Sequence, residues 1–253
     1  MENNKTIYVC DGSIEGLLSS VYKSYYSDDS VQDIIVDGMY QSNFTYNYQS
    51  IDTDYENAQK VAYAIKKKIS KLTFDNLVQT WLSEMPMCGH HILEYIKLGF
   101  KYGNDVNSLL TQANVEYVLN TTRKVGFEVH RFLGILRFSK MQDNTYRSII
   151  SPDHNILPLM ADHFANRLST EKFVIYDEKR KDAILCDTGE WFIVKNAEIK
   201  ETSFCDDEYA FREMWQRYFE TIAIKERTNK KLQRSFIPIR YWDNITELKK
   251  ELN

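Results

Sequence analysis

Phe173-Val174-Ile175-Tyr176-Asp177-Glu178-Lys179-Arg180-Lys181-Asp182-Ala183-Ile184-Leu185-Cys186-Asp187-Thr188-Gly189-Glu190-Trp191-Phe192-Ile193-Val194-Lys195 is the stretch that decides the fold. Three short apolar runs, at 173–177, 183–186 and 191–195, are rich in β-branched and aromatic residues. Runs of this length and composition are strands rather than helices. Asp177-Glu178-Lys179-Arg180 forms the first hairpin tip, and Asp187-Thr188-Gly189-Glu190 the second turn. Neither connection is long enough to carry a parallel crossover, so the spacing predicts an antiparallel sheet.

Toward the N-terminus the pattern continues. Residues 135–139 read as a strand, Gln142-Asp143-Asn144-Thr145 as a turn, and 146–151 as the returning strand. Pro152-Asp153-His154-Asn155 breaks the sheet and opens a helix to about residue 168, with Asp153 or Asn155 as its cap. Toward the C-terminus, Ser203-Phe204-Cys205-Asp206 resembles a capping box with Asp in place of Glu. It starts a helix over about 206–227 whose buried stripe is expected at Phe211, Trp215, Tyr218, Phe219 and Ile222.

The N-terminal part has another texture. Residues 6–10 form a strand, Asp11-Gly12-Ser13 a capping turn, and 14–27 a helix. Residues 30–53 are acidic and tyrosine-rich, with Tyr40, Phe44, Tyr46 and Tyr48 among Ser, Asn and Gln; they read as mostly irregular, with a short strand near 34–36. Helical periodicity then runs over about 55–71, 73–85, 89–102, 105–110 and 112–132, punctuated by Pro86 and by glycines at 89, 99 and 103. The expectation is an α+β protein. A βα unit with the acidic, Tyr-rich segment covers 1–54, a helical region 55–132, and an antiparallel sheet with packed helices and a basic tail 133–253, the last two expected to form one compact unit.

The 253 residues are 43% hydrophobic and 27% charged, with 9 Gly and 4 Pro against 17 Tyr and 13 Phe, which excludes wholesale disorder. Cys10, Cys88, Cys186 and Cys205 stand at no metal or redox spacing, and no apolar run reaches the ~20 residues of a membrane span. A reduced, cytoplasmic protein is expected. The net charge of −4 excludes a chain that coats nucleic acid indiscriminately, but it hides an asymmetry. Residues 1–60 hold 10 acids and 3 bases, net −7; the remainder holds 26 acids and 29 bases, net +3. The sharpest cluster is Lys225, Arg227, Lys230, Lys231, Arg234 and Arg240 against the single acid Glu226. It is either a polyanion-binding surface or a solvated helix end that suits the helix dipole. Lys179 and Arg180 on the hairpin tip are candidates for a phosphate clamp beside it, with Arg131, Arg137 and Arg167 as further contributors.

No metalloprotease helix motif and no nucleophile elbow occurs, so no catalytic machine is named by the sequence. The weak acid/base or ligand set is His130, His154, His163 and Asp177, from which His154, His163 and Asp177 would make a His/His/Asp metal site. His90 and His91 are adjacent and read as capping or surface residues. No cofactor is expected.

An ordered set of stretches resembles a bacterial family of DNA-metabolism or DNA-repair proteins described as a domain of unknown function, DUF4130. The stretches are His130-Arg131-Phe132-Leu133-Gly134 with Leu136-Arg137-Phe138; Pro152-Asp153-His154-Asn155-Ile156-Leu157-Pro158-Leu159; His163-Phe164-Ala165 with Arg167; Ile175-Tyr176-Asp177-Glu178-Lys179-Arg180; Ile222-Ala223-Ile224-Lys225-Glu226-Arg227-Thr228-Asn229; Leu232-Gln233-Arg234; and Pro238-Ile239-Arg240-Tyr241-Trp242. The opening Asp11-Gly12-Ser13-Ile14-Glu15-Gly16 fits as well. The resemblance implies a radical-SAM protein as partner and DNA as the shared ligand, because family members also occur joined to a uracil-DNA-glycosylase-like domain. It implies no catalytic residue. This chain has no CxxxCxxC motif, so cluster chemistry would belong to the partner.

The leading expectation is a DNA-binding accessory protein of a repair or modification system. Its phosphate contacts would come from Lys179, Arg180, Lys225, Arg227, Lys230, Lys231, Arg234 and Arg240, with Tyr241 or Trp242 stacking on a base. The alternatives are a nuclease or base hydrolase using the His/Asp set, and a protein–protein adaptor docking through the acidic 30–54 segment.

Overall fold

A computed structural model describes residues 5–39, 41, 43–199 and 203–248. The chain divides into two compact units, Met1–Gly126 and Phe127–Asn253.

In the first unit, β1 (Lys5–Cys10) lies at the centre of a three-stranded sheet with β2 (Ser30–Val36) and β3 (Asn47–Ser50), both parallel to it. A central parallel strand is covered on both faces, and Ile7, Tyr8, Val9 and Cys10 are accordingly buried in succession. Helix α1 (Ile14–Tyr26) is capped by Ser13, whose Oγ accepts the Gly16 N–H at 2.9 Å. Its Leu17, Leu18 and Val21 pack into a core with Ile34, Ile65, Leu77, Ile92 and Ile96. Those residues come from β2, α2 (Tyr55–Lys68), α3 (Lys71–Leu82) and α4 (Cys88–Tyr102). The described part of segment 30–53 thus holds two strands where one short strand is expected. β3 is recruited by main-chain pairing, Thr6 opposite Asn47 through Val9 opposite Ser50, and Asn-Tyr-Gln-Ser carries no apolar pattern to announce it. Tyr40 lies outside the described residues.

Gly89 fixes how α4 meets β2. A Cβ there would fall inside van der Waals contact of the Ile34 carbonyl oxygen, so only glycine admits this approach.

Helix α5 (Ala113–Ile135) leads into the second unit, whose sheet is β4 (Ser139–Lys140), β5 (Tyr146–Ile150), β6 (Lys172–Asp177), β7 (Asp182–Asp187) and β8 (Glu190–Val194), in that spatial order. The decisive hairpins at 172–194 form as expected, with Ile175 opposite Ile184 and Leu185 opposite Phe192. Two expectations are corrected. The strand at 135–139 is cut short: α5 extends to Ile135, residues 136–138 are irregular, and β4 is two residues long. The sheet is also mixed, because β5 and β6 run parallel with α6 (Leu157–Arg167) as their crossover. Pro158 sits in the first turn of α6, so the helix starts after residues 153–155 and has no side-chain cap.

Strand alternation separates two faces of this sheet. One carries Phe173, Ile175, Ile184 and Cys186, all buried. Phe138 packs edge-on between Phe164 of α6 and Phe173 there, and the Trp191 Nε1–H donates to Asp162 of α6 at 2.8 Å. The other carries Arg147, Ile149, Val174, Tyr176, Ala183, Leu185, Phe192 and Val194, of which the small Ala183 is buried and the rest half-buried or exposed.

A third correction concerns α7 (Asp206–Ile222). Its aromatic stripe does not form a core: Phe211, Trp215, Tyr218, Phe219 and Ile222 are exposed, and Glu208 is the helix's only buried residue. Glu208 accepts the Lys140 N–H at 3.0 Å, and Met141 bridges Phe204, which ties the start of the helix to the sheet.

Candidate nucleic-acid interface

The turn at 152–154 organises the site. Glu128 projects from α5 on the same helical stripe as Val125, Phe132 and Ile135, and it is buried. Its carboxylate accepts the N–H of Asp153 at 2.8 Å and of His154 at 2.9 Å, and the Tyr241 hydroxyl at 2.5 Å. Burial, aided by the nearby Glu128 charge, pushes the Tyr241 phenol far above its ordinary value, so it remains a donor.

On the other side of the turn lies the hairpin tip. Asp177 is fully buried and accepts the Lys179 N–H at 3.0 Å, the Arg180 N–H at 3.3 Å and Arg180 Nη1 at 2.8 Å. Burial raises its carboxyl above the usual range, and the bonds from Arg180 offset this only in part. The Arg180 guanidinium also donates to the carbonyls of Pro152 at 3.3 Å and Asp153 at 2.8 Å. Lys179 Nζ reaches the same Asp153 carbonyl at 3.0 Å. From the tail, Arg240 pairs with the Asp153 carboxylate at 2.5 Å and lies over the Tyr241 ring.

Lys179, Arg180, Arg240 and Tyr241, read from separate parts of the chain, therefore meet at one turn. The meeting is mostly structural. Arg180 is satisfied by Asp177 and backbone carbonyls, and Arg240 by Asp153. Tyr241 and Trp242 are 3% and 2% exposed, so neither ring is open to stacking on a base. The Trp242 indole N–H is also engaged, donating to the Ile237 carbonyl at 2.8 Å. Arg137 is held by Glu247 through two bonds, at 2.6 and 3.3 Å. Burial works to raise the Glu247 carboxyl, but hydrogen bonds from Arg137 and Trp215 more than offset it and hold it below its ordinary value.

The rest of the basic cluster behaves differently. Arg227 closes a short 3-10 turn (Lys225–Arg227), and Lys230, Lys231 and Arg234 lie on α8 (Lys230–Phe236). Asn229 caps α8 by accepting the Leu232 N–H at 2.9 Å. All four cations are exposed, and Arg227, Lys231 and Arg234 form no ion pair with any described residue. The Lys225 side chain lies outside what the structure describes.

The acid/base set is distributed over three elements. His130 is exposed on α5, His163 is exposed on α6 with its ring edge-on to Phe164, and His154 is half-buried in the turn. Asp177 is occupied by Arg180. Among the described residues, no three His, Cys, Asp or Glu side chains are placed to share a metal ion. His90 and His91 are half-buried: His90 Nδ1 bonds the Gln32 carbonyl, while His91 bonds Asn114 and stacks on Tyr117.

Glu128 and Glu247 were not singled out by sequence reasoning. The signal for Glu128 was a carboxylate on the apolar stripe of α5. For Glu247, paired with Arg137 across 110 positions, there was none.

Residues 86–247 match the family model described as a domain of unknown function, DUF4130. The chain belongs to this family. The matched span takes in α4, α5 and every described sheet strand and helix of the second unit, including the turn at 152–154 and α8. No curated protein and no solved structure matches the chain. Among the described residues, no helix is long and apolar enough to cross a membrane.

Proposed function

We propose that this DUF4130 chain is a nucleic-acid-binding accessory protein of a DNA repair or modification system, acting beside a radical-SAM enzyme. The observation that carries the reading is the division of the cations. Those at the turn are consumed by carboxylates and carbonyls, whereas Arg227, Lys231 and Arg234 stand exposed within eight residues of one another and form no ion pair with any described residue. Surface cations without intramolecular partners can each displace a counterion from a phosphate backbone at little desolvation cost. Lys179 and Lys230 flank the same reading as exposed bases. The partner enzyme and the repair context rest on the family resemblance.

Fluorescence anisotropy with labelled single- and double-stranded DNA at two salt concentrations tests it. Each of Arg227→Glu, Lys231→Glu and Arg234→Glu should weaken binding for all sequences and lower the salt slope by about 1. Binding equal to the parent in the Arg227→Glu/Arg234→Glu double variant would remove the assignment.

A further inference from the structure

The second unit contains two largely apolar surfaces that stand partly open to solvent, and they are of complementary kinds. On α7, Phe211, Met214, Trp215, Tyr218 and Ile222 recur at intervals of three and four, forming a helical stripe; Tyr218 is 56% exposed and Ile222 equally so. On the sheet, the face opposite α6 presents two cross-strand rows. Arg147, Val174, Leu185 and Phe192 form one row, and Ile149, Tyr176, the small buried Ala183 and Val194 the other; Phe192 is 58% exposed. A sheet face turned to water is ordinarily polar, and an amphipathic helix buries its stripe against another layer. Here a helix lacks its sheet and a sheet lacks its second helix.

α7 is held at its start by Glu208 and along one side by Trp215 to Glu247 at 3.0 Å and Gln216 to the Thr246 carbonyl at 3.0 Å. An open groove runs beside it between Arg137, Phe138 and Tyr218. The helix is anchored but not packed.

We infer that the occupant is a second copy of this chain. In a two-fold dimer, the α7 stripe of each protomer lies across the open β5–β8 face of the other. Such an interface is isologous: the helix residue that meets Phe192 in one direction meets it again in the other. The area is sufficient. An aromatic side chain offers about 150–250 Å2, and at the observed exposures one helix-on-sheet contact removes on the order of 800 Å2. Symmetry doubles this to roughly 1,600 Å2, the size of a standard stable interface. The composition also fits, since Trp, Tyr and Phe dominate the stripe and such residues dominate interface energetics. This inference is independent of the nucleic-acid reading.

Sedimentation velocity of the full chain without DNA should show twice the monomer mass. Tyr218→Glu on α7 and Phe192→Glu on β8 should each raise the dissociation constant at least about thirtyfold, with the far-UV circular dichroism of the parent. Ile222→Glu and Ile149→Glu serve as a second pair should either of the first misfold. An equimolar mixture of the helix and sheet variants, one fluorescently labelled, retains one intact contact and should associate more tightly than either variant alone. A monomeric parent overturns the inference. So does a Phe192→Glu variant that dimerises as the parent does, since helix-to-helix pairing alone would leave it unaffected. A mixture that gains nothing over its components likewise overturns it.

Discussion

Replacing Arg180 by Met puts the hairpin-tip argument to a quantitative test. The Asp177 carboxylate is fully buried, and the Arg180 side chain is 8% exposed. The change removes the opposite charge together with the donors that reach Asp177, Pro152 and Asp153. An uncompensated buried carboxylate remains, at a cost of about 3–5 kcal/mol. With a urea dependence of about 2 kcal/mol per molar, the unfolding midpoint should fall by about 2 M. Three of the four tryptophans, Trp191, Trp215 and Trp242, lie in the second unit, so fluorescence is weighted toward the affected part.

The pH dependence has a fixed sign. Burial already raises the Asp177 carboxyl above its unfolded value, and losing Arg180 removes what offsets this. A raised carboxyl contributes stability that is complete below the unfolded value of about 3.9 and lost as pH rises through the folded one. The deficit of the variant should therefore be largest near pH 8 and shrink as pH falls toward about 4. Adding Asp177→Asn to Arg180→Met should recover part of the loss at pH 8, because no charge is then stranded. A deficit under about 0.5 kcal/mol, or one that does not vary with pH, would refute the buried-pair account.

Gly89→Ala should destabilise the first unit by about 3 kcal/mol, because the methyl group meets the backbone of β2 rather than a side chain that can move; thermal unfolding followed by circular dichroism measures it. Tyr241→Phe leaves Glu128 one donor short and should cost about 1.5–3 kcal/mol, read from urea unfolding monitored at Trp242. Burial raises the thiol of Cys88 to about 12 and that of Cys10 to about 11, so both should resist iodoacetamide in the native protein at pH 8 and react on unfolding; mass spectrometry of the alkylated chain counts them.

The cations show why the site was harder to read than the fold. Lys231 and Arg234 look the same in the sequence as Arg180 and Arg240, yet the first two face solvent and the second two are bound by carboxylates. The partner of Arg240 is 87 residues away, and no local spacing announces it. Tyr241 and Trp242, the candidates for stacking on a base, instead close the core beneath the turn. The α7 stripe failed in the opposite direction. Its 3.6-residue periodicity is real, but periodicity reports only that a face is apolar, not that this chain covers it.

Strands 172–194, the capped helix α1 and the class of the fold follow from the sequence alone, because alternation, capping and turn chemistry act between residues a few positions apart. Tertiary structure alone decided the parallel pairing of β5 with β6, the recruitment of β3, and which basic groups remain available to a polyanion. Those outcomes depend on main-chain pairing, burial and charge neutralisation between distant segments, and these quantities exist only once the chain has closed on itself.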